Sequence, residues 1–214
     1  MPLIRRRFDR DYFNSAFHRA HAHSPRNTQR LKLIMKHKRG GRLLEIGTGG
    51  GDFLERVAPR FDVRAIDISP YAGSRLPQAL RERITVGNIE ELALPASAYD
   101  VITVFNVLEH LRQPTEAIRK LVGALAPDGI LVGSMPCNAG WLGSTYTKVT
   151  EFFDRTHISC YKVSAWREAF DAAGLPDTRF FGEVLLDGLF CLYIFTPRWP
   201  HLSLNLMFLA RKQA

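Results

Sequence analysis

From Arg42 onward the chain alternates short apolar runs with longer stretches in which apolar residues return every three or four positions. The runs are RLLEI, DVRAI, RITV, DVITVF and GILVGS. Runs this short, rich in Val, Ile and Leu and closed by turn residues, predict parallel strands buried on both faces. The stretches between them predict helices over 51–59, 70–80, 114–126 and 163–174, the last running into Ala172-Ala173-Gly174 as a helix does before its C-terminal glycine. Two later segments, TRFFGEV and SLNLMFLARK, read as strands separated by the apolar stretch LLDGLFCLYIFTPRWP. The pattern predicts an α/β fold: a Rossmann-like, doubly wound, mostly parallel seven-stranded sheet with an antiparallel C-terminal edge strand.

Ahead of this pattern, Phe8, Tyr12, Phe13 and Phe17 recur at helix spacing. Ser24-Pro25 then supplies an N-cap and a first-turn proline for a second helix, which carries Leu31, Ile34 and Met35 and ends at Gly40-Gly41. The expected division is therefore 1–41, a helical N-terminal segment, and 42–214, the α/β domain.

Charge sharpens that division. The 29 Lys and Arg against 21 Asp and Glu give a formal charge of +8 over 214 residues. Residues 1–42 hold 12 basic and 2 acidic side chains, a net of +10, and the rest of the chain carries −2. The excess belongs to the N-terminal segment rather than to the whole surface. A hydrophobic content of 46% and a charged content of 23% are those of a globular chain and exclude disordered, collagen-like and coiled-coil classes. Cys137, Cys160 and Cys191 are odd in number and form no CxxC, against a disulfide framework or a cysteine-rich zinc site and in favour of a reducing, cytoplasmic setting. MPLIRRRFDRD lacks the apolar run of a signal peptide, and the longest apolar stretch, 184–195, is broken by Asp187 and falls short of the roughly 20 residues that span a bilayer.

Chemistry concentrates in LLEIGTGGGDFL, 43–54. A buried strand runs into a turn so rich in glycine that backbone can approach a ligand closely. A dinucleotide fingerprint, counted from Gly47, requires glycine at position 52, where this chain has Asp52; GxGxG at Gly47, Gly49 and Gly51 remains. The Asp52 carboxylate repels a pyrophosphate and is compatible with an ammonium or sulfonium ligand. No Gly-Lys-Ser/Thr follows, which excludes a P-loop. Asp67 ends the next strand 20 residues beyond Gly47, where a carboxylate can accept from both hydroxyls of a ribose, or can cap the helix expected at Ser69-Pro70.

At these residues the sequence resembles the class I S-adenosylmethionine-dependent methyltransferases, in the small-molecule branch that includes quinone-biosynthesis enzymes. The resemblance runs from about Arg42 to the C-terminus. Its motifs are Glu45-x-Gly47-x-Gly49-x-Gly51, Asp67, the GNIEELALP of 87–95, the YDVI of 99–102 leading to NVLEHL at 106–111, LAPDGIL at 125–131, and Asp154-Arg155-Thr156-His157 followed by Trp166 to Gly174. It implies S-adenosyl-L-methionine as cofactor. Glu45 and the Gly47, Thr48, Gly49 and Gly51 loop would hold its methionine part, Asp67 the ribose, Ile68 one adenine face, Asn88 and Ile89 the adenine edge, and Asn106 would lie beside the donor. Asn88 departs from the family's aspartate: an amide still accepts a hydrogen bond but lacks the charge that strengthens it.

A sulfonium methyl is already activated, so transfer needs alignment and exclusion of water more than a metal or a covalent residue. An acceptor hydroxyl or acidic carbon would benefit from a base. The candidates are His110, at the start of the stretch after the fourth strand, and His157, in a later loop where Asp154 could orient it; each competes with a packing or capping role. His18, His21, His23 and His37 have no carboxylate or cysteine to complete a metal set. The expected enzyme is a methyltransferase acting on a small-molecule acceptor, at oxygen rather than nitrogen or carbon. The alternatives are an RNA methyltransferase that uses the basic segment on phosphates, which lacks a recognisable RNA-binding module, and a non-catalytic donor-binding regulator. In this family the N-terminal residues commonly lid the acceptor site. Here the lid is basic, and with the 185–195 stretch, which can pack as a helix or line an apolar pocket, it also raises an apolar or lipid-like acceptor and contact with an anionic membrane.

Overall fold

A computed structural model describes residues 25–136, 158–159, 161–186, 192–196 and 205–213. The chain divides into two compact units, 1–93 and 94–214.

In the first unit, helix α1 (Pro25–Met35) begins on the expected proline and ends short of Gly40-Gly41. Strands β1 (Arg42–Ile46), β2 (Asp62–Asp67) and β3 (Ile84–Val86) follow, with α2 (Asp52–Val57) after β1 and the single turn of α3 (Gln78–Arg81) before β3. The strands are parallel in the order β3-β2-β1, with Leu44 opposite Arg64 and Ile46 opposite Ile66. Leu43, Leu44, Val63, Ala65 and Ile66 are buried, and Ile34 of α1 with Phe53, Leu54 and Val57 of α2 completes this core. Burial of every β1 residue after Arg42 explains why RLLEI reads as a short apolar run, interrupted by Glu45.

The helix expected over 70–80 is not there. Pro70, Gly73 at φ 65° and Pro77 break the pattern, so residues 70–75 form turns and only Gln78–Arg81 is helical.

In the second unit, β4 (Tyr99–Phe105) leads through a 3₁₀ turn (Leu108–His110) to α4 (Pro114–Ala124) and β5 (Leu125–Pro136). Helix α5 (Val163–Ala172) precedes β6 (Arg179–Leu186), β7 (Leu192–Thr196) and β8 (Asn205–Arg211). The strand order is β4-β5-β8-β6-β7; β4 and β5 are parallel, and β8, β6 and β7 join antiparallel. The expected Rossmann-like, mostly parallel plan is observed, but with eight described strands in place of the expected seven and a larger antiparallel part than the sequence indicates. Residues 192–196 pair with β6 as an outer strand instead of packing as a helix, and the C-terminal strand β8 lies between β5 and β6. Its core joins Val101, Ile102, Leu131, Val132 and Met207 to Trp166 and Phe170 of α5, with the Phe170 and Phe208 ring centroids 4.6 Å apart.

Among the described residues no helix is long and apolar enough to cross a membrane.

Candidate donor site at the glycine turn

Strand β1 is carried into its turn by a last sheet-like bond from the Gly47 N–H to the Ile66 carbonyl, 2.8 Å. The chain then reverses through Gly47 at φ 78°, Gly49 at 54° and Gly51 at 92°, where a side chain is strained. The Gly51 N–H closes the turn on the Thr48 carbonyl at 2.9 Å, and α2 starts at the next residue.

Three polar side chains are buried at this turn: Glu45, Thr48 and Asp67 are 3%, 6% and 7% exposed. Glu45 Oε2 and Thr48 Oγ1 have no hydrogen-bond partner, a costly arrangement unless something polar is to be received. Asp67 is the opposite case. Its Oδ2 accepts from the Gly49 N–H at 2.9 Å and its Oδ1 from the Ser69 N–H at 2.8 Å, so it ties the glycine turn to the end of β2. The capping reading of Asp67 is corrected in kind: it organises the turn between Gly49 and Ser69, and no helix follows at Pro70.

Burial raises the Glu45 carboxyl well above the usual carboxylate range, and the nearby Asp67 charge raises it further, while the Arg30 guanidinium opposes both and Asp52 adds a smaller upward push. Burial also raises Asp67, against the backbone N–H groups of Ser69, Gly49 and Thr48 that stabilise its ionised form. Arg30, 5% exposed on α1, is a site residue that sequence reasoning missed. The available signal was its spacing: Arg30 lies four residues before Ile34, which is fully buried, so the two share a helix face.

The other expected contacts of the first unit fall as follows. Ile68 is half-buried beside Asp67, and Ile89 is 4% exposed. Asn88 caps its own turn: its Oδ1 accepts from the Glu90 N–H at 3.0 Å and its Nδ2 donates to Glu91 Oε1 at 3.1 Å. Asp52 pairs with Arg75 at 2.8 Å, which largely cancels the argument that its charge repels phosphate.

In the second unit, Asn106 follows β4 at φ 53°, a conformation asparagine tolerates. Its N–H donates to the Ser134 carbonyl at 2.8 Å, and its Oδ1 accepts from Ser134 Oγ at 3.0 Å. His110 is half-buried at the end of the 3₁₀ turn. His157 and Asp154 lie outside the described residues.

Comparison with known proteins places this geometry. Residues 16–178 match the family described as methyltransferase domain. The chain is 35% identical over 102 residues to the mitochondrial ubiquinone biosynthesis O-methyltransferase of Schizosaccharomyces pombe, a match covering 44% of this chain and 37% of that protein. It is 37% identical over 114 residues to the ubiquinone biosynthesis O-methyltransferase of Paraburkholderia phymatum, covering 48% of each. The chain thus spans about half, or less, of the length of these relatives. Among solved structures, a SAM-dependent methyltransferase from Archaeoglobus fulgidus superposes with a TM-score of 0.69 at 16% identity, covering 94% of this chain and 97% of that one. The N-methyltransferase NodS from Bradyrhizobium japonicum, in complex with S-adenosyl-L-homocysteine, gives 0.60 at 21%, covering 100% and 98%. These two likenesses establish the fold. With the family matched across most of its length, this chain belongs to the methyltransferase-domain family, among the class I S-adenosylmethionine-dependent methyltransferases.

Proposed function

We propose that this chain binds S-adenosyl-L-methionine at the glycine turn and transfers its methyl group to an oxygen of a small-molecule acceptor. The observation that carries the proposal is the pair of buried polar atoms without partners, Glu45 Oε2 and Thr48 Oγ1, under a turn built from left-handed glycines. The donor set suits an amino-acid end: Glu45 for the ammonium, Arg30 for the carboxylate, and the Gly47, Thr48, Gly49 and Gly51 loop for close backbone approach. Asp67 has lone pairs left for a ribose diol; Ile68, with Asn88 and Ile89, is assigned to the adenine, and Asn106 to the donor's reacting end, by resemblance to the family.

Bound there, the cofactor supplies an already activated methyl. The chain's own work is then to bind, align and exclude water. His110 is the proposed base for an acceptor hydroxyl, with His157 and Asp154 the alternative pair. Methylation at oxygen is supported by the similarity to the two ubiquinone O-methyltransferases, and residues 1–41 are assigned to a basic lid over the acceptor.

Calorimetric titration tests the donor: S-adenosylmethionine is expected to bind and NAD to leave no heat. Tight NAD binding without the sulfonium compound would sink the reading, as would a Gly49→Arg variant that still bound donor. Transfer of a labelled methyl group across a panel of phenols and catechols then tests the acceptor class. Label appearing only on nitrogen acceptors or on RNA would refute O-methylation.

A further inference from the structure

The glycine turn has an outer side, and it is covered. Residues 73–76, the segment that turns instead of forming a helix, lie against it: the Gly73 N–H donates to the Gly49 carbonyl at 2.9 Å, and Leu76 packs on Gly51. Between them Arg75 reaches over Gly50 to Asp52, with Nη2 at 2.8 Å from Asp52 Oδ2. A Cβ on Gly50 would stand 2.0 Å from Arg75 Nη2 and 3.0 Å from Cζ. Gly50 is not among the glycines at positive φ. A side chain at Gly50 would therefore displace the guanidinium resting on it, without strain in the backbone.

We propose that Arg75 is a positioning residue for donor binding: its planar guanidinium, laid on Gly50 and paired with Asp52, holds the 49–51 backbone in the conformation that receives the ligand. The inference rests on the donor reading above. The geometry favours this over a mere surface pair because Arg75 ties the loop to a segment distant in sequence: it projects from the stretch after β2 and crosses Gly50, whereas Asp52 is the first residue of α2. A flat cation can lie against bare backbone while one edge bonds a carboxylate; an ammonium makes only the second contact.

The test measures two quantities on purified full-length protein: the Kd of S-adenosylhomocysteine by calorimetry, and amide hydrogen exchange across 47–54 without ligand. Arg75→Ala is expected to weaken binding about three- to fivefold, the range of an exposed but geometrically fixed pair. It should also speed exchange at the loop while leaving exchange in β1 and β2 unchanged. Asp52→Asn should do the same, and the double variant should be no worse than either single one, as for two residues acting as a unit. Arg75→Lys is expected to recover part of the affinity and little of the loop protection. Gly50→Ala, which must push the guanidinium off the loop, should behave like Arg75→Ala. Unchanged affinity and exchange in Arg75→Ala would overturn the proposal, as would additive losses in the double variant or a fall in Tm with no change at the loop. If the unsubstituted protein bound no S-adenosylhomocysteine, the donor reading would fall and the affinity part of this inference with it. The exchange comparison would still decide whether Arg75 holds the loop.

Discussion

The turn after β1 and the turn after β4 are both strand ends in an α/β protein, and Glu45 and Thr48 at the first differ from Asn106 at the second in how their polar groups are met. After β1, Glu45 and Thr48 bury oxygens without partners while three glycines take up positive φ. After β4, Asn106 alone takes the left-handed conformation, and Ser134 meets both its N–H and its side-chain oxygen. Further along, the Glu109 carbonyl accepts the N–H groups of Ile158 and Ser159 at 2.9 Å each, and Ser159 Oγ donates to the Leu111 carbonyl at 2.7 Å. The first turn carries an unmet demand for polar partners, so it is prepared for a ligand. The second uses its hydrogen bonds to fasten a loop to a strand end. The contrast is thus one of Glu45 and Thr48 with Asn106: two buried side chains with open oxygens against one whose N–H and amide oxygen are both met.

The largest test of that contrast is Glu45→Gln. Removing one partner from a buried charge pair costs about 3 kcal/mol or more, so donor affinity is expected to fall about a hundredfold by calorimetry. A loss under about fivefold would mean that the unmet carboxylate is not what the ligand answers.

The same residue gives two pH dependences of opposite sign. Its folded-state pKa is raised, so the folded protein holds that proton more tightly than the unfolded chain does. Stability of the unliganded protein relative to Glu45→Gln should therefore grow as pH falls from neutral through the raised value, and level off once pH is below the unfolded carboxylate pKa. Asp67, also raised, adds in the same direction and is common to both proteins. Donor affinity runs the other way, because a protonated Glu45 no longer attracts an ammonium. Urea titrations and calorimetry over pH 5–8 measure the two; parallel trends would contradict the assignment of Glu45 to the ammonium.

What the sequence revealed of this site, and what it hid, follows the same physics. Strands β1 and β4 were legible because burial on both faces leaves a mostly apolar run, β2 because Val63, Ala65 and Ile66 stand out around the exposed Arg64, and the GxGxG after β1 because positive φ nearly requires glycine. Strand β7 was not: a continuous apolar stretch such as LFCLYIF has no periodicity to separate strand from helix. The 70–80 segment carried helix-like spacing, but Pro70, Gly73 and Pro77 govern it locally. Arg30 was hidden because its partner lies on a different element, and only packing of α1 brings the two charges together.

Gly51→Ala comes next in size. At φ 92° a side chain is strained, and its Cβ would stand 2.5 Å from Leu76 Cγ. Strain and overpacking at such a position cost about 1–3 kcal/mol each, and Leu76 can shift to relieve part of the second. A stability loss of about 2 kcal/mol by urea unfolding is expected, together with weakened donor binding, since Gly51 belongs to the turn. A loss of affinity at unchanged stability would mean that the conformation of Gly51 serves the ligand alone.

The smallest effect is expected at the other turn. Ser134→Ala deletes the hydroxyl that donates to Asn106 Oδ1 but keeps the backbone bond between the same two residues. The loss of one part-buried neutral hydrogen bond is worth about 1 kcal/mol of stability. Donor affinity should stay within about threefold, because the backbone contact still sets the position of Asn106 and only its amide orientation is loosened. Ser134→Thr, which retains the hydroxyl, separates the lost bond from the lost packing. Should Ser134→Ala cost as much affinity as Glu45→Gln, the turn after β4 would be part of the binding machinery through its side-chain bond, and the satisfied state of Asn106 would no longer distinguish it from the open oxygens of the glycine turn.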